Sequence, residues 1–311
     1  MLAQRIPTVL PPLSFEEALD VTTIYSVAGL LDGQGLITRR PFRAPHHTVS
    51  DYGLVGGGAN PRPGEISLAH RGVLFLDELP EFRKTALEVM RQPLEDGVVT
   101  IARAAVSLTY PADSMLVAAM NPCPCGYRTD DRHTCTCLGP AVQRYRARLS
   151  GPLLDRIDLH VEVPAVPYED LRGGLTGSTS AEMRARIGAA RAVQSARYAG
   201  TNCRTNADLT GKLLEEHCAL GPDEHAFLEG AVHALALSAR AYTRILRIAR
   251  TIADLEWAER LLAGGQDAQA RRADPVDGDV PDAPSMGVAG PIRVGHLAEA
   301  INCRALDRER L

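Results

Sequence analysis

Gly72-Val73-Leu74-Phe75-Leu76-Asp77-Glu78-Leu79-Pro80 decides the fold of this chain. Four consecutive apolar residues are too few for a membrane span and too unbroken for a half-exposed edge, so they predict a parallel strand covered on both faces. The run ends in two adjacent carboxylates. At the carboxyl end of such a strand, Asp77 and Glu78 lie in the crevice where open α/β sheets bind ligands. The first carboxylate can hold Mg²⁺ through its water shell while the second polarises an attacking water, the division of labour that phosphoryl transfer requires. A plain core strand with Asp77 as a helix cap before Pro80 accounts for the same residues, so the neighbouring stretches decide.

Downstream, Glu81 to about Leu94 has helical periodicity, with Phe82, Ala86, Val89, Met90 and Leu94 as its buried stripe. Val98–Arg103 and Ala105–Tyr110 follow the turn signal Asp96-Gly97 and predict a hairpin with Arg103 near its tip. Met115–Met120 reads as another fully buried strand, ending at Asn121-Pro122. An amide there, beside an acidic pair, is placed to orient a water, although Asn121 as a turn starter explains the residue equally well. Cys123-Pro124-Cys125 and Cys135-Thr136-Cys137 then form a Cys-rich insert over 123–137. Two Cys-x-Cys pairs in a polar loop can give four thiolates to a tetrahedral Zn²⁺, with His133 able to replace one; free or redox-active thiols are the alternative. Gln143–Leu149 reads as helix and Ile157–Val163 as an alternating strand, with Arg156 leading into it. Such an arginine serves as a surface ion-pair partner or as a finger reaching a γ-phosphate on a neighbouring subunit.

Upstream, Leu2 and Ile6 share a helical face that Pro7, Pro11 and Pro12 are expected to end. Ser14 with Glu17 makes a capping box for a helix to about Leu30, carrying Phe15, Ala18, Leu19, Thr22, Tyr25 and Ala28 at helical spacing. Arg40–Thr48 reads as extended because its prolines exclude helix, which would send His46 and His47 to opposite sides and prevent joint chelation. Gly53–Gly64 reads as a glycine-rich loop inserted ahead of the acidic strand. It lacks the Lys and Ser/Thr of a P-loop.

The 311-residue chain is long enough for one large and one small domain, and its apolar (45%) and charged (23%) fractions are those of a globular protein. A net charge of −4 means that any nucleic acid must meet a local basic surface. Lys84 and Lys212 are the only lysines among 34 basic residues. No apolar run suits a membrane helix or signal peptide, so the expectation is a cytoplasmic protein with no membrane partner.

The acidic strand, the strand ending in Asn121 and Leu154-Asp155-Arg156, in that order, resemble the Walker B, sensor-1 and arginine-finger elements of an AAA+ ATPase. His46-His47-Thr48, Asn60–His70, Gly72–Phe82, Met120–Gly126 and Ser150–Pro164 closely resemble the ComM/YifB group of magnesium-chelatase-like ATPases, over residues 2 to about 263 and again from about 293. The resemblance implies a hexamer using ATP and Mg²⁺, with Asp77 on Mg²⁺, Glu78 as the base, Asn121 as sensor 1 and Arg156 acting in trans. It also implies coupling to DNA remodelling, of the branch-migration or helicase type, in recombination or transformation. The family carries a Lon-protease-like domain and then a Walker A loop, and this sequence starts just past where that loop would end. With no G-x-x-x-x-G-K-[ST], the chain is expected to bind ATP poorly, as a truncated product or an open reading frame taken from an internal Met.

Helices are expected near 180–198, 207–218 and 222–235, and from a Ser238 cap to about Leu262, with a last one over His296–Arg304. Arg240 matches the family's sensor-2 position and would contact the γ-phosphate; Arg244 and Arg247 read as a solvated face. Gly264–Pro291, rich in Asp, Pro, Gly and Ala, reads as a disordered insertion. The expected architecture is therefore an α/β AAA+ core over 1–166, a parallel sheet without its first strand and P-loop, followed by an all-α lid over 167–311. The resemblance leaves two alternatives, an ATPase subunit of a chelatase inserting Mg²⁺ into a porphyrin and a non-catalytic fragment.

Overall fold

The apolar run Val73–Leu76 is the middle strand of a three-stranded parallel sheet. The computed structural model describes residues 2–31, 33, 35–58, 61–102, 107–130, 132–164, 166, 168, 172, 177–271 and 290–304, with side chains up to 263 in the last long helix. Its strands in chain order are β1 (Phe42–Arg43), β2 (Gly56–Gly57), β3 (Arg62–Pro63), β4 (Val73–Leu76), β5 (Val98–Ala102), β6 (Ser107–Pro111) and β7 (Met115–Ala118). Two compact units divide the chain: residues 1–157 with 164–175, and residues 158–163 with 176–311.

In the first unit the sheet order is β1-β4-β7, with Phe42 opposite Val73 and Leu76 opposite Ala118. Val73, Leu74 and Leu76 are fully buried, as a strand covered on both faces must be. Leu54, Ile66, Leu79, Phe82, Ala86, Met90 and Leu153 pack with Leu74 and Leu76. β7 departs from the expectation of full burial: Met115 is exposed and Leu116 to Ala118 are half-buried. The reason is topological, since β4 pairs one edge of β7 and no strand pairs the other among the described residues.

Sequence places Gly72 immediately before the central strand because β1 lies so close. A Cβ there would stand 2.1 Å from the carbonyl oxygen of Pro41, whose backbone cannot yield. The capping box of Ser14 and Glu17 starts helix Phe15–Ala28 as expected. The buried face is Ala18, Val21, Thr22 and Ile24, whereas Phe15 and Leu19 point outward. Pro7 sits in the first turn of helix Ile6–Val9 rather than ending one, because a first-turn N–H has no helical acceptor to lose, and the helix stops ahead of Pro11 and Pro12. The region after the acidic pair also differs. Instead of one helix there are a 3₁₀ turn Leu79–Glu81 and helices Lys84–Val89 and Arg91–Asp96, which bury Leu87 and leave Val89 exposed.

The glycine-rich stretch is organised more tightly than a loop. Helix Asp51–Val55 leads into β2, which pairs antiparallel with β3. Gly56, at φ 105°, approaches within backbone distance of Gly64, and neither position has room for a side chain. The expected hairpin is present as β5 and β6, with Val98 opposite Pro111 and Ala102 opposite Ser107. Arg103 lies outside the described residues.

The second unit is helical: Ser180–Arg197, Gly211–His217, Pro222–Ala234, Ala239–Arg271 and Val294–Asn302. Ser238 caps the long helix, its hydroxyl accepting from the N–H of Ala241 at 3.2 Å. That helix runs through 264–271, where a disordered insertion was expected; 272–289 lie outside the described residues. Asp254, fully buried, accepts from Arg197 at 2.8 and 2.5 Å, from Arg250 Nε at 3.1 Å and from Asn206 at 2.8 Å. The alternation over Ile157–Val163 does not make a strand. His160 forms one isolated bridge with Arg304 while Leu159, Val161 and Val163 stay exposed, because extended backbone needs a neighbouring ladder and this segment has none among the described residues. No described helix is long and apolar enough to cross a membrane.

Candidate functional site

Parallel pairing puts the ends of neighbouring strands at one edge of the sheet, and this assembles the candidate site. Asp77 and Glu78 follow β4 directly. The chain after β7 is tied to them by two backbone bonds, Ala119 N–H to the Leu76 carbonyl and Leu79 N–H to the Ala119 carbonyl, both 2.9 Å. Asn121 is therefore delivered next to the acidic turn. All three side chains are exposed, as groups that meet a ligand must be.

The turn itself is unusual. Glu78 adopts the left-handed conformation at φ 51°, ψ 47°, and donates its N–H to Asp77 Oδ1 at 3.0 Å. A non-glycine residue there carries a local steric penalty, which characteristically concentrates at functional positions. The twist aims the Glu78 carboxylate at His47, whose Nδ1 lies 3.5 Å from Glu78 Oε2. His46 and His47 do not take opposite sides: they lie beyond β1, outside any strand, and their rings meet tilted at 34°, with centroids 4.0 Å apart. Sequence reasoning missed the His47–Glu78 contact. A signal for it existed, since residues just past two paired parallel strands share one edge of the sheet. Arg148 was missed as well; it donates to the Pro80 carbonyl at 3.0 Å and to Glu81 at 2.7 Å, clamping the turn that follows the acidic pair.

Polar contacts also tie the strands to the segments around them. Arg43 on β1 makes a bidentate pair with Glu65 at 2.6 and 2.7 Å. His70 accepts the N–H of Asp113 at Nδ1, 3.1 Å away, which requires its neutral form; burial first, and then the Arg71 charge, push its pKa below the ordinary imidazole value. Burial raises the pKa of Tyr145, while the backbone N–H of Asn121 beside its phenol oxygen acts the other way.

Arg156 is largely buried and held in the same unit, donating to the Pro152 carbonyl at 2.7 Å and paired with Glu95. Arg240 stands exposed at the start of the long helix of the second unit. Arg244 and Arg247 are not a solvated face. Arg244 pairs with Asp158 at 2.6 Å, and Arg247 donates to the Leu209 carbonyl at 2.9 Å.

Just beyond Asn121 the four thiols of Cys123, Cys125, Cys135 and Cys137 converge, with all four sulfurs within 4.8 Å of one another. The backbone N–H of Tyr127 draws the Cys125 thiol down to about 6, whereas Cys137 is pushed up to about 11 by the neighbouring Cys125. One thiolate thus forms readily and opposes the next. His133 stays outside the cluster, stacked on Tyr127 at 4.8 Å and 3.1 Å from Asp130.

Comparison with known proteins finds relatives over most of the chain. The family described as magnesium chelatase, subunit ChlI, matches residues 1–171, and its C-terminal family matches residues 177–264. YifB of Salmonella typhimurium is 44% identical over 262 residues, covering 84% of this chain and 51% of the relative. Competence protein ComM of Haemophilus influenzae is 45% identical over 262 residues, covering 84% and 50%. The magnesium-chelatase subunit ChlI of Mesostigma viride is 26% identical over 110 residues, covering 35% and 24%. The chain spans about half the length of the first two relatives.

Proposed function

The chain belongs to the magnesium-chelatase ChlI family, and from that premise we propose that it is part of an AAA+ ATPase that couples ATP hydrolysis to remodelling of DNA. Asp77 would hold Mg²⁺, for which exposed carboxylate oxygens are the fitting donors. Glu78 accepts a proton from the attacking water, and Asn121 orients that water. Arg156 acts on the nucleotide of a neighbouring copy in a homo-oligomer, a hexamer by family resemblance, once it leaves Glu95. Arg240 would contact the γ-phosphate, and ATP and Mg²⁺ are the cofactors of this reading.

The observation that carries this reading is the meeting of Asp77, Glu78 and Asn121 at the carboxyl ends of two paired parallel strands. DNA is favoured over a porphyrin because 84% of the chain aligns with a competence protein and 35% with a chelatase subunit. The sequence contains no P-loop lysine, so the chain by itself is not expected to hold ATP tightly.

The test joins the amino-terminal half of the Haemophilus ComM protein to this chain. The chimera should hydrolyse ATP with Mg²⁺, and faster with DNA. Glu78→Gln should retain nucleotide and lower turnover by on the order of 10²-fold or more, the scale of a lost general base. A rate indifferent to Glu78→Gln would sink the site assignment. Stimulation by a tetrapyrrole in place of DNA would favour a chelatase.

A further inference from the structure

Between the end of β7 at Ala118 and the helix beginning at Gly139, the described backbone has no helix or strand. What gathers this segment is its sulfur. Sγ of Cys123 lies 3.4 Å from that of Cys125 and 3.7 Å from that of Cys135, and Cys125 lies 3.6 Å from Cys135. Cys137 completes the group. A tetrahedral centre with Zn–S bonds of about 2.3 Å has sulfur–sulfur edges of about 3.8 Å, close to these separations. Thiols are weak donors and weak acceptors, so hydrogen bonding among them does not account for drawing two distant Cys-x-Cys pairs together. All seven cysteines are free, and Cys123 is fully buried.

The cluster is joined to the candidate site by a short link. Cys123 stands two residues after Asn121, and the backbone turns back at once, Gly126 N–H donating to the Cys123 carbonyl at 3.0 Å. Gly126, at φ 85°, lies against the Asn121 side chain: a Cβ added there would be 4.0 Å from Asn121 Cγ. We propose that Cys123, Cys125, Cys135 and Cys137 bind one Zn²⁺, and that this ion is a clamp that fixes the end of β7 and so positions Asn121. Four protein ligands fill a tetrahedral ion, so the metal has no open position for chemistry and its role is structural. The positioning half rests on the reading of Asn121 given above; the metal half does not.

The experiment uses the full chain. Elemental analysis should find about one zinc per chain, retained in Cys203→Ser and lost in the quadruple Cys→Ser variant. As a control that does not depend on folding of that variant, the unaltered chain is also titrated with an organomercurial, which should release zinc in step with four thiols. Exchange with Co²⁺ should give the thiolate-to-cobalt charge-transfer bands of a tetrahedral S₄ site. A folded, cooperatively melting chain that carries no zinc and takes up no Co²⁺ through sulfur overturns the metal site. For the clamp, amide hydrogen exchange over residues 119–126 should quicken on the order of tenfold on zinc extraction, while β5 and β6 keep their protection. Zinc present with exchange there unchanged overturns the positioning role alone. An ATPase failure in the chimera leaves the zinc content unaffected, so the two readings fail separately.

Discussion

At the scale of single residues, Glu78 concentrates the conflict between folding and chemistry. Its left-handed backbone costs about 1–2 kcal/mol relative to an ordinary conformation. Glycine would relieve that penalty but lose some of the gain to the greater freedom of the unfolded chain, leaving about 0.5–1 kcal/mol. Glu78→Gly should therefore stabilise the chain against urea by that amount while abolishing hydrolysis in the chimera. A less stable variant would mean the turn is not under strain. The acidic pair and Asn121 were legible in the sequence because each ends an apolar run of strand length. His47, Arg148 and the partners of Arg244 and Arg247 were not, since those contacts join side chains far apart along the chain and leave no local pattern.

At the scale of elements, local chemistry was the readable part. The Ser14–Glu17 capping box, the Ser238 cap and the β5–β6 hairpin all follow from short-range rules and are present. Burial was harder to read. Periodicity finds an apolar face but not what covers it, so Phe15 and Leu19 proved exposed and β7 only half-buried. Likewise alternation over 157–163 fits a strand, yet a strand exists only where another chain segment completes its ladder. Gly72 is the element-scale residue most open to test. Gly72→Ala would press a methyl group on the Pro41 backbone and force β1 from β4, which at the upper end of overpacking penalties amounts to about 3 kcal/mol. Chemical denaturation should record it, and a loss below about 0.5 kcal/mol would mean that the two strands do not pack as described.

At the scale of the whole molecule, two units with separate cores invite separate probes. The only tryptophan, Trp257, lies in the second unit, on the helix that carries Asp254, so its fluorescence follows that unit. Asp254→Asn keeps the shape but leaves Arg197 and Arg250 without their carboxylate. Removing one partner from a buried ionic cluster costs about 3–5 kcal/mol. The tryptophan-detected transition should move to lower denaturant and report a stability loss of that amount, while zinc content, which the proposal assigns to the first unit, stays at the unaltered value. Loss of zinc together with the transition would show that the two cores unfold as one.

β7 has one further consequence. Among the described residues it has a single neighbouring strand, so its other edge offers a row of N–H and C=O groups to an extended segment. At four residues the edge is short, which limits how many such bonds an arriving segment can make.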